Sequence, residues 1–277
     1  MNKVGFMQGR LSDLENNKIQ SFPWKNWEKE FSLAFKINIG LMEWTLDYPN
    51  LKKNPLMTEE GRQKINSLSS KYDLEILSLT GDCFMQKPFW KVNDSDQTKL
   101  IETLINVIES SGKVNIGMVL IPLVDNGSIE NQSQEDRFIE ICLDQVDLLR
   151  QHNVRLIFES DYPPDKLAKF IDNFPHDTYG INYDTGNSAS LGFNVKDEFK
   201  EYGERILNLH IKDRSYNGPS VPLGEGATDF DLVFSLLRDN MYKGNFILQT
   251  ARSEKRLHVE IIQLYKEMVL DWLKDNE

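Results

Sequence analysis

VRLIFESD, residues 154–161, is a short apolar run that ends in a carboxylate, Glu159. Three later stretches share its design. YGINYDTGN (179–187) closes its apolar part at Asp184, ILNLHIKDR (206–214) carries His210 near its end, and NFILQTAR (245–252) carries Gln249. Each delivers one metal-capable side chain at the carboxyl end of a strand-like segment.

Working outward, the remaining segments alternate in period. Residues 4–8, 41–46, 74–80 and 116–123 read as strands, and IGMVLIPL at 116–123 is nearly all apolar, as a parallel strand buried on both faces must be. Between them the 3.6-residue period predicts helices. Residues 24–39 place Trp27, Phe31, Ala34 and Phe35 on one face, and Gly40 stops the helix. Thr58, followed by Glu59 and Glu60, suits the start of a helix running to Tyr72. Further helices are expected over 94–111, as one long element over 133–151, over 166–174 behind Pro163-Pro164, over 195–202 and 230–240, and over 253–273. Residues 215–228, rich in Gly and Pro, carry no regular pattern. Eight strands in strict alternation with helices imply parallel pairing. The expected architecture is α/β, a single (β/α)8 TIM barrel spanning residues 1–277.

Composition bounds the function. The 277 residues are 40% hydrophobic and 27% charged, which is ordinary for a globular chain with a sizeable core. A net charge of −11 argues against nucleic acid as a partner, because phosphate contacts need a basic face. It leaves room for a phosphorylated small molecule, which needs only a few local donors. The two cysteines, Cys83 and Cys142, form no disulfide framework, which fits a reducing cytoplasm. The MNKVGFMQGR start lacks an apolar signal core, and no run approaches the roughly 18 apolar residues of a membrane span. A soluble cytoplasmic protein without membrane partners is expected. No Gly-x-Gly-x-x-Gly follows the first strand, against a dinucleotide cofactor.

In such a barrel the active site lies at the carboxyl ends of the strands. Glu159, Asp184, His210 and Gln249 sit there on four consecutive strands. Taken singly, each has a plain explanation: a surface or capping Glu, a turn-forming Asp, a core His, a backbone-bonded Gln. Taken together they make an oxygen/nitrogen set suited to a divalent metal ion, Mn²⁺, Mg²⁺, Co²⁺ or Zn²⁺, with room left for substrate oxygens.

The chain resembles the sugar phosphate isomerase/epimerase family of xylose isomerase-like TIM barrels. MQGRLS, HIKDR, PLGEG and FILQTAR carry the resemblance across nearly the whole sequence. That family includes D-tagatose 3-epimerase, L-ribulose-5-phosphate 3-epimerase and hexulose-6-phosphate isomerases. The resemblance implies metal ligation by Glu159, Asp184 and His210. At its fourth position this chain has Gln249, where the epimerases have Glu. In those enzymes two Glu residues work on opposite faces of the inverting carbon, and a Gln cannot exchange a proton. Glu159 is therefore expected to be the base, acting on a sugar or sugar phosphate through an enediolate.

Other groups are candidates to assist. Glu43 and Lys212 are expected to be catalytic. Arg10, Asn187, Arg214, Arg252 and Trp44 are expected to bind substrate, the arginines through their planar forks and Trp44 by stacking. Asp82, Cys83 and Asp213 also follow strands and read as loop residues, and the PLGEG loop offers backbone N–H groups to a phosphate. The alternatives to an isomerase are a metal-dependent sugar or inosose dehydratase and a non-catalytic carbohydrate-binding relative, the latter motivated by Gln249. An apurinic-site endonuclease is disfavoured by only four histidines. The resemblance makes a homodimer or tetramer the expected assembly.

Overall fold

A computed structural model describes residues 3–15, 18–92, 94–253 and 255–275. Eight parallel strands close into a ring: β1 Val4–Met7, β2 Leu41–Thr45, β3 Glu75–Thr80, β4 Met118–Leu123, β5 Arg155–Ser160, β6 Tyr179–Asp184, β7 Ile206–Ile211 and β8 Asn245–Leu248. Each strand pairs with its sequence neighbours, and β8 closes on β1. The helices α1 Trp27–Lys36, α2 Glu59–Tyr72, α3 Asp82–Gln86, α4 Asp94–Gly112, α5 Gln132–Leu143, α6 Val146–His152, α7 Pro164–Ile171, α8 Thr185–Leu191, α9 Val195–Tyr202, α10 Phe230–Asp239 and α11 His258–Asp275 occur between and after the strands. The expected (β/α)8 barrel is the observed one. Among the described residues no helix is long and apolar enough to cross a membrane.

The apolar strand residues bury against the helices, while the barrel interior carries the polar chemistry. Behind β5, Phe158 packs on Phe138 and Phe174 with ring centroids 5.2 and 5.1 Å apart. Such edge-on aromatic contacts add roughly 0.5–1.5 kcal/mol each beyond burial. They anchor the strand that presents Glu159. Across β6 and β7 the register sets Asp184 directly beside His210.

Four local expectations differ from the structure. The long helix over 133–151 is broken into α5 and α6. The Gln145 side chain takes the Ile141 carbonyl at 3.1 Å, while its backbone N–H turns to Cys142 at 2.9 Å. The last helix starts at His258 rather than 253, because Arg256 sits at a left-handed φ of 57° and Ser253 Oγ caps Leu257 N–H. Asp184-Thr-Gly, read as a turn, opens α8: Asp184 is its N-cap, accepting from Asn187 N–H at 2.8 Å. Phe35, expected on the buried face of the first helix, is exposed.

The 215–228 loop, expected to lack regular pattern, is tied down by Asp213. Asp213–Arg214 and Ser220–Val221 form a two-residue antiparallel ladder. The buried Asp213 carboxylate accepts from Gly224 and Gly226 N–H at 2.9 and 2.8 Å through Oδ2, and from Arg214 and Thr228 N–H at 3.0 and 3.2 Å through Oδ1. A Cβ on Gly226 would lie 2.1 Å from Asp213 Oδ1, so only glycine fits there. The PLGEG N–H groups of Gly224 and Gly226, expected to face a phosphate, are thus used within the fold. Asp213→Ala leaves four backbone donors of the loop without their acceptor. It is expected to lower the unfolding free energy by about 3 kcal/mol, with Asp213→Asn costing about half. Urea denaturation at unchanged m-value measures this; a loss under about 1 kcal/mol would show that the loop does not depend on Asp213.

Candidate metal centre

His210 is fully buried and is held from below by Glu43, whose Oε1 lies 2.7 Å from Nε2. Glu43 is the middle residue of β2, inside the barrel. It also accepts from Ser78 Oγ at 2.6 Å, Thr80 Oγ1 at 2.5 Å and Asn208 Nδ2 at 2.9 Å. Glu43, expected to be catalytic, is fully buried and does not line the mouth. Its effect is to orient the imidazole, placing the Nε2 proton on Glu43 and turning Nδ1 toward the mouth.

His210 Nδ1 is buried without a hydrogen-bond partner. It lies 3.1 Å from Glu159 Oε2, out of line for a hydrogen bond, and 4.0 Å from Asp184 Oδ2. One ligand atom from each of Glu159, Asp184 and His210 falls within 4.8 Å of the others. An orphaned imidazole nitrogen facing two carboxylates is the donor set that a divalent cation requires. These three residues fit the ion. Glu159 is itself oriented by Asn182 Nδ2 at 3.0 Å and Asn187 Nδ2 at 2.7 Å. Asn208 Nδ2 bonds Asn182 Oδ1 at 2.9 Å, so one amide chain runs from Glu43 to Glu159.

Gln249, expected as the fourth metal ligand, lines the same mouth. Its Oε1 accepts from Lys212 Nζ at 3.1 Å. The same ammonium group reaches Asp184 Oδ2 at 3.0 Å and Asn187 Oδ1 at 3.2 Å. A cationic side chain thus bridges the neutral Gln249 and the ligand Asp184.

Above the cluster lies a cavity of about 820 Å³, lined among others by Arg10, Asp82, Glu159, Asn187, Lys212, Arg214 and Gln249. Arg214 donates to Asn187 Oδ1 at 2.9 Å and to the Gly218 carbonyl at 2.8 and 3.0 Å. Two residues expected to bind substrate do not line this cavity. Arg252 spends its donors on the backbone carbonyls of Gly9, Ser12 and Ile19, clamping the loop after β1. Trp44 is buried in the core with its Nε1 on Asn54 at 3.0 Å, because the second strand turns it outward against Phe22 and Trp27. Cys83 is buried in the core as well. Asp82, read as a solvated loop charge, is 6% exposed.

The amide chain through Asn182 and Asn208 escaped the sequence reading. Its signal was present: each Asn stands two residues before a metal-type residue, Asp184 and His210, so strand alternation puts it on the same inward face.

A family model described as a xylose isomerase-like TIM barrel matches residues 31–275. An L-ribulose-5-phosphate 3-epimerase of Salmonella heidelberg is 22% identical over 233 residues, covering 80% of this chain and 81% of that protein. Among solved structures, the IolI protein with a bound zinc atom superposes with a TM-score of 0.77 at 16% identity, covering 99% of both chains. D-psicose 3-epimerase from Clostridium cellulolyticum H10, solved with D-tagatose, gives 0.71 at 11% identity and 98% coverage of both.

Burial alone would lower the His210 pKa, but the Glu43 and Glu159 carboxylates outweigh it and push it from 6.5 to about 10. Burial likewise would raise Glu43, yet His210 and the two hydroxyls hold it below the usual carboxylate range. At neutral pH the metal-free ring therefore carries its second proton on Nδ1. The stabilisation from this charge is complete below about pH 6.5 and fades as the pH climbs through 10. A cation at Nδ1 must expel the proton. Apparent Mn²⁺ affinity is expected to rise by close to tenfold per pH unit between about pH 7 and 9. Calorimetry in buffers of different ionisation enthalpy checks it; a flat affinity would remove His210 Nδ1 from the ligand set.

Proposed function

The chain belongs to the xylose isomerase-like TIM-barrel family, and from that membership and the Glu159–Asp184–His210 cluster we propose a divalent-metal-dependent isomerase or epimerase acting on a ketose or ketose phosphate. The observation that carries the reading is the placement of Glu159. Its carboxylate belongs to the cluster, lines the cavity and is fixed by two amide groups. Glu159, Asp184 and His210 would hold the ion, with the Gln249 carbonyl oxygen as a fourth donor. When bound, the ion supplies Lewis-acid polarisation of the carbonyl beside the carbon that loses its proton.

Glu159 removes that proton, and the electron pair moves to the adjacent carbonyl oxygen to give an enediolate. Lys212, with its ammonium between Asp184, Asn187 and Gln249, adds positive charge beside the oxygen that becomes negative. Asn187, Arg214 and Arg10 line the cavity and offer donors to hydroxyl or phosphate oxygens. L-ribulose 5-phosphate is the first substrate to test, since the Salmonella relative is named for it. The engagement of Gln249 by Lys212 favours a second reading, a protein that binds such a sugar without turning it over.

Incubation of the Mn²⁺-loaded protein with L-ribulose 5-phosphate and free ketoses in D₂O separates these readings. Deuterium is expected at the carbon next to the carbonyl, and Glu159→Gln should reduce its incorporation by 10²–10⁴-fold. A dehydrated product would replace the isomerase by a lyase, and binding without any exchange would leave only the second reading. Independently, Gln249→Glu adds a third carboxylate and is expected to raise Mn²⁺ affinity roughly tenfold; unchanged affinity would exclude position 249 as a donor.

A further inference from the structure

Epimerisation needs two acid–base groups on opposite faces of one carbon, and Gln249 cannot be the second. The ring order restricts where a replacement can stand. Glu159, Asp184, His210 and Gln249 follow β5, β6, β7 and β8, so they occupy one half of the mouth. Among the groups after β1 to β4 that line the cavity with Glu159 is the carboxyl of Asp82.

Asp82 follows β3, two places from β5 around the eight-strand ring. It lines the same cavity as Glu159, Lys212 and Gln249. Its side chain is 6% exposed. Among the described residues no group donates a hydrogen bond to its carboxyl oxygens, which open onto the cavity. A buried carboxylate left without partners costs stability. Nearby Asp47 is treated differently by the fold, accepting from Phe22 N–H at 2.7 Å and Gln86 Nε2 at 2.8 Å. The unpartnered carboxyl is the one aimed at the cavity.

We propose that Asp82 is the second acid–base group of this site, delivering a proton to the face of the substrate carbon opposite Glu159. The inference rests on the ketose-epimerase reading above. The step balances as follows. Glu159 takes the hydrogen as a proton, the C–H pair moves into the enediolate, and its negative charge resides on the former carbonyl oxygen. The carbonyl re-forms, the carbon takes the proton of Asp82, and the configuration inverts. Glu159 is left protonated and Asp82 ionised; release of one proton to water and uptake of another restore both.

The surroundings keep Asp82 in the form the step requires. Burial, then Asp47 after β2 and Glu159 on β5, raise its carboxyl; Arg10 after β1 and His210 on β7 lower it by less. The balance is a pKa of about 8, so the group is a neutral acid at pH 7. Among the charged groups Asp47 contributes most, then Glu159, with Arg10 and His210 opposing them more weakly.

The test compares proton removal with inversion in the Mn²⁺-loaded protein, using L-ribulose 5-phosphate in D₂O. Asp82→Asn, nearly isosteric, should keep deuterium wash-in to recovered substrate within about threefold of wild type while epimer formation falls by 10²–10⁴-fold. Inversion at wild-type rate in that variant overturns the inference and leaves the function intact. Absence of both exchange and inversion in wild type overturns the underlying reading instead. Two measurements on the unaltered protein stand in if Asp82→Asn does not fold. Epimer formation should fall at high pH while wash-in persists, and in the metal-free protein a protonated-carboxyl infrared band should vanish as the pH rises through about 8. Parallel pH profiles, or no such band, overturn the assignment.

Discussion

The buried contact between Glu43 and His210 is the constraint on which the rest of the site depends. It puts an anion at the floor of the barrel and sends the free nitrogen of His210 upward. Glu43 can sit there because hydroxyl and amide donors from β3 and β7 meet its oxygens. A buried carboxylate is tolerated when it is paired and hydrogen-bonded in this way. The same donors continue through Asn208 and Asn182 to Glu159, so the base is oriented by the floor beneath it. One polar network thus sets both the histidine tautomer and the carboxylate geometry.

The charges above that floor are arranged with equal economy. Asp184 is shared between the N-cap of α8, the cluster with His210, and the ammonium of Lys212. Lys212 also reaches Gln249, so the side chain that replaces a carboxylate at the fourth strand end is coupled to a protein cation. Removing a negative charge and adding a nearby positive one both weaken attraction for a metal ion. The site of this chain is therefore less acidic than a three-carboxylate centre, and the Lys212 ammonium stands beside the Glu159–Asp184–His210 cluster. On the far wall Asp82 faces the cavity without partners, in contrast to every carboxylate of the metal half.

Outside the mouth the strand-end loops are held by buried ion and hydrogen-bond anchors. Glu30 accepts from Gly9, Leu11 and Ser12, and Arg252 donates to carbonyls of the same loop. Asp213 does the equivalent for residues 214–228. Side chains from distant strands thus fix the rims of the cavity, which keeps the recognition surface on rigid supports.

The barrel was legible in the sequence because its signals are periodic and local: apolar runs of strand length alternate with helical stripes. Glu159, Asp184 and His210 were legible for a related reason, since each ends such a run and barrel geometry gathers run ends. The fate of Arg252, Trp44 and Glu43 was not legible. Each lies in or after a strand, but whether such a side chain meets the cavity, the core or a backbone carbonyl depends on partners far away in the chain. Arg252 meets Gly9, and Glu43 meets His210. Asp82 was misread as solvated for the same reason, its burial arising from the loops that surround it. The sequence by itself determined which strand ends carry chemistry; only the tertiary structure decided which groups are already satisfied, because hydrogen-bond satisfaction is a property of three-dimensional neighbours and not of sequence spacing.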